Sequence, residues 1–243
     1  QKSDRFNGEV NSNMIIKIST FSNHIDFTNN ELNVLEIEDK KLFSNIVTSF
    51  YNSINDEPSK ETLILLKNNE VVSISKCMFM IMDIYSYDFN VKKINNKLIS
   101  ILEQNIINDE DLRYDVEKKI YELANLIPEI TSVFSLDLIW DNDIKIHKLL
   151  NLFSIKIDQN SEDSYLHRTL RAIDIVRELG LCDILVLCNL KSYLDEEELI
   201  ELYKYIKYKE QKTLILESKV DEKTIYDERK MIIDYYFNDY IIE

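Results

Sequence analysis

The sequence predicts an α/β fold, a mostly parallel sheet interrupted by an inserted all-helical block, and three observations carry the prediction. Short β-rich runs stand towards both ends of the chain, at residues 14–19, 33–38, 62–66, 183–188 and 213–216. Between them lies a long stretch whose apolar residues recur every three or four positions. Glycine is almost absent, with only Gly8 and Gly180 in 243 residues, so the glycine-rich turns of phosphate-binding α/β proteins have no material from which to form.

Each element follows from local chemistry. The runs at 183–188 and 213–216 are continuously apolar, as strands covered on both faces must be. Between them, residues 195–208 open with Asp195 and three glutamates and continue with Leu199, Leu202, Tyr203 and Ile206, an N-capped amphipathic helix. This is a strand, helix, strand unit. In the middle of the chain, Leu112, Val116, Ile120, Leu123, Ile127, Ile130 and Phe134 mark one helix, with a kink expected near Pro128. Ile94, Leu98, Ile101, Leu102 and Ile106 mark a second, and Asn108 and Asp109 suit the turn between them. The expected organisation is an α/β head from residues 14–77 and 157–243 with a helical leg from 78–156. The leg's apolar stripe is expected to pack on a second copy or on the head, since a narrow hairpin buries little by itself. Residues 1–13 carry almost nothing that packs, and Met14 reads as the natural start, with the preceding stretch a non-native remnant.

Composition narrows the function classes. No apolar run approaches the roughly 18–20 residues of a membrane-spanning helix, and signal-peptide features are absent, so the expected setting is the cytoplasm. Cys77, Cys182 and Cys188 lie inside apolar runs and read as buried thiols. The formal charge of −15 repels phosphate backbones. Any nucleic-acid role then rests on a local basic patch or on bound cations.

Two sets of residues are candidates for function. Asp137, Asp141 and Asp143, followed by Asp158 and Glu162, offer carboxylates of the kind hard cations select. On the residues alone, helix caps and a solvated acidic face are the simpler reading. Lysines gather at Lys92, Lys93 and Lys97, at Lys118 and Lys119, at Lys40 and Lys41, and at Lys204, Lys207, Lys209 and Lys212. Neighbouring acids such as Glu103, Asp115 and Glu117 make a mixed solvated face the simpler reading. His24, His147 and His167 are scattered, and no nucleophile elbow is present. Binding is expected rather than catalysis.

The pattern as a whole resembles a known family. Asn33-Val-Leu-Glu-Ile-Glu-Asp39 leading into Leu42-Phe43-Ser44-Asn45-Ile46-Val47, then Met82-Asp83-Ile84-Tyr85-Ser86-Tyr87-Asp88, carry the likeness. Leu136-Asp137-Leu138, the run 184–199 and Thr213-Leu214-Ile215-Leu216-Glu217 extend it over residues 14–243. These blocks are similar to the small DNA-end-binding ring proteins of type II-A CRISPR adaptation. The resemblance implies a nucleotide-kinase-like head without a nucleotide site, a helical leg, and no enzymatic activity. It further implies a homotetrameric ring, held in its DNA-binding shape by structural Ca²⁺, that encircles double-stranded DNA ends without sequence specificity. Its members assist spacer acquisition with the CRISPR integrase and the effector nuclease. Carried onto this chain, the calcium region falls on Asp137, Asp141, Asp143, Asp158 and Glu162, and the DNA-facing lysines on Lys92, Lys93, Lys97, Lys118 and Lys119. Four copies of a −15 chain carry −60 before cations bind, so DNA affinity is expected to be steeply salt-dependent. Two other readings stand beside this one: a divergent nucleotide-binding phosphotransferase, and an acidic scaffold for a basic protein partner.

Overall fold

A computed structural model of the protein describes residues 13–29, 31–140, 144–159 and 163–242. The chain forms two compact units, Gln1–Tyr87 with Ser161–Glu243, and Asp88–Asn160. In chain order the first unit begins with β1 (Met14–Ile18), β2 (His24–Asp26), β3 (Leu32–Ile37), α1 (Lys40–Ile54), β4 (Leu63–Lys67), β5 (Glu70–Val72), α2 (Ile74–Cys77) and β6 (Met78–Ile81). The second unit holds α3 (Lys92–Asn108), α4 (Glu110–Ala124), α5 (Ile127–Thr131) and α6 (Ile146–Leu152). The first unit then resumes with α7 (Tyr165–Leu179), β7 (Ile184–Cys188), a short 3₁₀ turn Leu190–Ser192, α8 (Glu196–Tyr208), β8 (Lys212–Glu217), β9 (Arg229–Ile233) and β10 (Asp239–Ile242).

The first unit contains two sheets. Four strands in the order β2-β1-β4-β5 pair antiparallel. Six strands in the order β10-β9-β3-β8-β7-β6 form the larger sheet, parallel throughout except at β10. The side chains alternate across it. Leu35, Ile37, Val186, Leu214, Leu216 and Met231 meet Ile46 and Phe50 of α1 and Met14, Ile16 and Leu65 of the smaller sheet in one core. Val34, Leu185, Leu187, Ile215 and Ile232, equally buried, face the opposite side. Helices α7 and α8 pack together, and α8 buries Leu199, Leu202, Tyr203 and Ile206. Its start is a complete capping box: Asp195 accepts from the Glu198 backbone N–H while Glu198 accepts from that of Asp195. Gly180 ends α7 at φ 55°, the left-handed position where lack of a Cβ matters.

Three expectations change. Residues 78–81 are a strand, not the beginning of the leg, because Met78–Ile81 pairs in parallel register with Ile184–Leu187 of β7. The helical unit therefore runs from Asp88 to Asn160 instead of 78–156. The long helix expected through Phe134 stops at Ala124 and restarts at Ile127. Pro128 has no N–H to offer the Ala124 carbonyl four residues earlier, and its ring crowds that oxygen. Of the three cysteines, Cys188 is buried, whereas Cys77 and Cys182 are only half-buried. The expectation about residues 1–13 lies, but for Asn13, outside the described residues.

Candidate functional site

Open α/β sheets place their ligand sites at the carboxyl ends of the parallel strands. In this chain, that edge is filled by the protein itself. Only Glu38 and Asp39 join β3 to α1, too few to wrap a phosphate. The α1 N-terminus would attract an anion, but Asp39 supplies its own, accepting a 2.7 Å hydrogen bond from the Leu42 N–H.

Beside this turn lies a buried charge network. Glu36 of β3 and Glu217 of β8 stand opposite each other in register, so their side chains share one face. Lys191, in the turn after β7, donates to Glu36 Oε1 at 2.7 Å and to Glu228 Oε1 at 3.3 Å. Lys230 of β9 lies 3.2 Å from the same two oxygens and is fully buried with Glu36 and Glu228. The network also holds the connection between β8 and β9. Glu36 accepts from the Asp221 N–H, Glu228 from the Ile225 N–H, and Lys230 donates to the carbonyls of Asp221 and Lys223.

Three carboxylates thus face two ammonium groups. Burial, reinforced by the charge on Glu36, pushes the Glu217 carboxyl up to about 7, against the pull of Lys191. Burial disfavours the Lys191 ammonium, but hydrogen bonding to Glu36 and the charge of Glu228 hold its pKa above the usual lysine range. Close by, burial and Glu217 push the Cys188 thiol up to about 12. A thiol so hard to ionise is a poor nucleophile.

The helical unit presents a different chemistry. Lys92, Lys93 and Lys97 at the start of α3 are exposed and pair with no acid among the described residues. Lys118 is exposed nearby in the sequence of α4, while Lys119 is held by Glu122 at 2.8 Å. Of the lysines on and after α8, Lys207 pairs with Asp227 at 3.0 Å and Lys209 with Asp174 at 2.6 Å, which neutralises half of that cluster. The ends of the helical unit are tied together by Asn90, whose amide donates to the Ile157 carbonyl at 2.9 Å and accepts from the Ile157 N–H at 2.8 Å. Asp88 adds a 2.7 Å bond from Gln159.

Much of this unit's apolar surface is uncovered. Leu123, Ile130, Val133, Phe134, Leu136 and Ile139 are exposed, Ile139 at 99%. Of the residues expected to hold calcium, Asp137 and Asp158 are exposed, and Asp141, Asp143 and Glu162 lie outside the described residues. No cluster of three or more potential metal ligands occurs among the described residues. His147 lies 3.5 Å from Glu103, and His167 Nδ1 lies 3.0 Å from the Ser164 hydroxyl. Both fit local structural roles.

A family model of CRISPR-associated proteins, Cas_Csn2, matches residues 56–240. The chain belongs to the CRISPR-associated Csn2 family. It is 27% identical over 201 residues to the CRISPR-associated protein Csn2 of Streptococcus agalactiae, covering 83% of this chain and 86% of that one. With the Csn2 protein of Enterococcus faecalis it shares 25% over 143 residues, 59% of this chain and 64% of the relative. The crystal structure of Stu0660 of Streptococcus thermophilus superposes with a TM-score of 0.54 at 15% identity, covering 91% of this chain and 75% of that one. That likeness supports the α/β fold of this Csn2 family member.

Sequence reasoning missed the buried network. The signal was present as charges inside strand-like runs, Glu36 among Val34, Leu35 and Ile37, and Lys230 before Met231, Ile232 and Ile233. Charges at such positions are buried and paired, or the strand lies at the surface. Deciding between these requires the partner strand.

Proposed function

We propose that this chain is a non-enzymatic adaptation protein that binds double-stranded DNA ends as a homotetrameric ring and assists spacer acquisition beside the CRISPR integrase and effector nuclease. The observation that carries the reading is the exposed lysine group Lys92, Lys93 and Lys97, which pairs with no acid among the described residues, on the helical unit of a Csn2 family member whose total charge is −15. Local cations on an acidic chain are the means by which it would approach a phosphate backbone. The uncovered apolar residues around Ile130 and Phe134 supply a surface for self-association. Structural Ca²⁺ at the acidic segment would offset the charge of four assembled copies. The filled crevice at the strand ends supports binding over phosphotransfer.

Electrophoretic retardation of linear against closed-circular duplex, at low salt with calcium or chelator, tests this. Calcium-dependent retardation of linear DNA alone is expected. Replacing Lys92, Lys93 and Lys97 with glutamine should weaken binding uniformly across sequences and lower the salt slope by about one for each phosphate no longer neutralised. Equal retardation of closed circles would remove the ring, and no retardation in any condition would remove DNA binding.

A further inference from the structure

The connection between β9 and β10 displays aromatic rings on a fixed backbone. Asp234 accepts from the Tyr236 and Asn238 N–H groups at 2.9 and 2.8 Å and from the Asn238 amide at 2.9 Å. Tyr235 N–H donates to Glu38 at 2.8 Å, and Phe237 takes the left-handed conformation at φ 63°. On this turn Tyr235 is 63% exposed, Tyr236 81% and Phe237 55%. Tyr235 and Tyr236 meet edge to face, with ring centroids 6.1 Å apart. Aromatic side chains held this way lose little entropy when a partner covers them.

The electrostatic surroundings indicate what would cover them. Tyr240, on the adjoining strand, is raised above the usual phenol range first by burial and then by the charges of Glu222, Asp234, Glu38 and Glu36. Of these carboxylates Glu38 and Glu222 are exposed, and carboxylates and π-faces exposed in one place select planar cations, because guanidinium stacks on the rings while its N–H groups meet the acids. A phosphate backbone would be repelled from the same patch.

We propose that this turn, Tyr235 to Phe237 with Tyr240, Glu38 and Glu222, is a docking surface for an arginine-rich segment of a protein partner. It is separate from the lysines assigned to DNA and stands whether or not that assignment holds. The test titrates the full chain, at physiological salt, into a fluorescently labelled nona-arginine peptide and into nona-lysine of equal charge, reading anisotropy. Tighter binding of arginine than lysine is expected. The pair Tyr235→Ser with Tyr236→Ser should weaken the arginine peptide about tenfold, with an unchanged thermal melt. Tyr235→Phe with Tyr236→Phe keeps the π-faces and should retain binding. Equal affinity for the two peptides, or arginine binding untouched by the serine pair, would reduce the effect to general charge attraction and overturn the proposal. So would a serine pair that leaves peptide binding intact but lowers the oligomeric mass or abolishes duplex retardation.

Discussion

The two units solve the problem of charge and apolar surface in opposite ways. In the first unit, charged residues go inside and are paired: Glu36, Glu228 and Lys230 are each at most 2% exposed. Apolar residues fill both faces of the six-stranded sheet. In the helical unit Ile94, Ile99 and Ile120 are buried, while Tyr121, Leu123, Ile130 and Phe134 are left in the open, and Lys92, Lys93 and Lys97 pair with no acid among the described residues. The paired interior is a scaffold, and partners are to be sought where apolar groups stay in the open, on the helical unit and on the Tyr235–Phe237 turn of the first unit.

The largest effect expected from breaking this contrast is in the first unit. Lys230→Met removes an ammonium shared by two buried glutamates and should cost about 3–5 kcal/mol in urea unfolding. A loss under about 1 kcal/mol would mean the network is not a closed interior. The next effect concerns pH. Glu217 has a folded value of about 7 against an ordinary value of 4.5, so the folded state holds the proton more tightly. Its contribution is fully present below pH 4.5 and is lost as pH rises through 7, at a slope approaching about 1.4 kcal/mol per pH unit within that window. Glu217→Gln should flatten this part of the stability profile, and an unchanged slope would assign the proton elsewhere. The smallest stability effect is expected in the helical unit. Ile130→Asp with Phe134→Asp, both exposed, should shift unfolding by no more than about 0.5 kcal/mol each while lowering the mass seen by sedimentation. A large loss of stability with unchanged mass would mean the stripe is covered within one chain.

Strands whose apolar runs are rich in branched residues were legible from sequence, as were α8 from its acidic N-cap and apolar spacing and the α3–α4 hairpin from its period. β6 was not, because Met-Phe-Met-Ile carries neither alternation nor, until Ile81, a β-branched residue. β9 opens with Arg229 and Lys230, charges that mask a buried strand until its pairing with β3 is known. The lysines of α3 were located correctly on a helix. Those of α8 drew the same attention, and it takes the positions of Asp174 and Asp227, distant in sequence, to show Lys209 and Lys207 neutralised. For the acidic segment, the sequence offers carboxylates without the order that would say which of them converge.

The Asn90–Ile157 clamp has a consequence for how the chain folds. β6 and β7 are parallel neighbours, yet the entire helical unit intervenes between them in the chain. Pairing distant segments carries a loop-closure cost that grows with the logarithm of the intervening length. The clamp joins residues 67 positions apart, so once it closes, the excursion no longer counts as free chain and the path from β6 to β7 is short-circuited. Insertions between α3 and α6 then lengthen a branch rather than the route along which the sheet assembles.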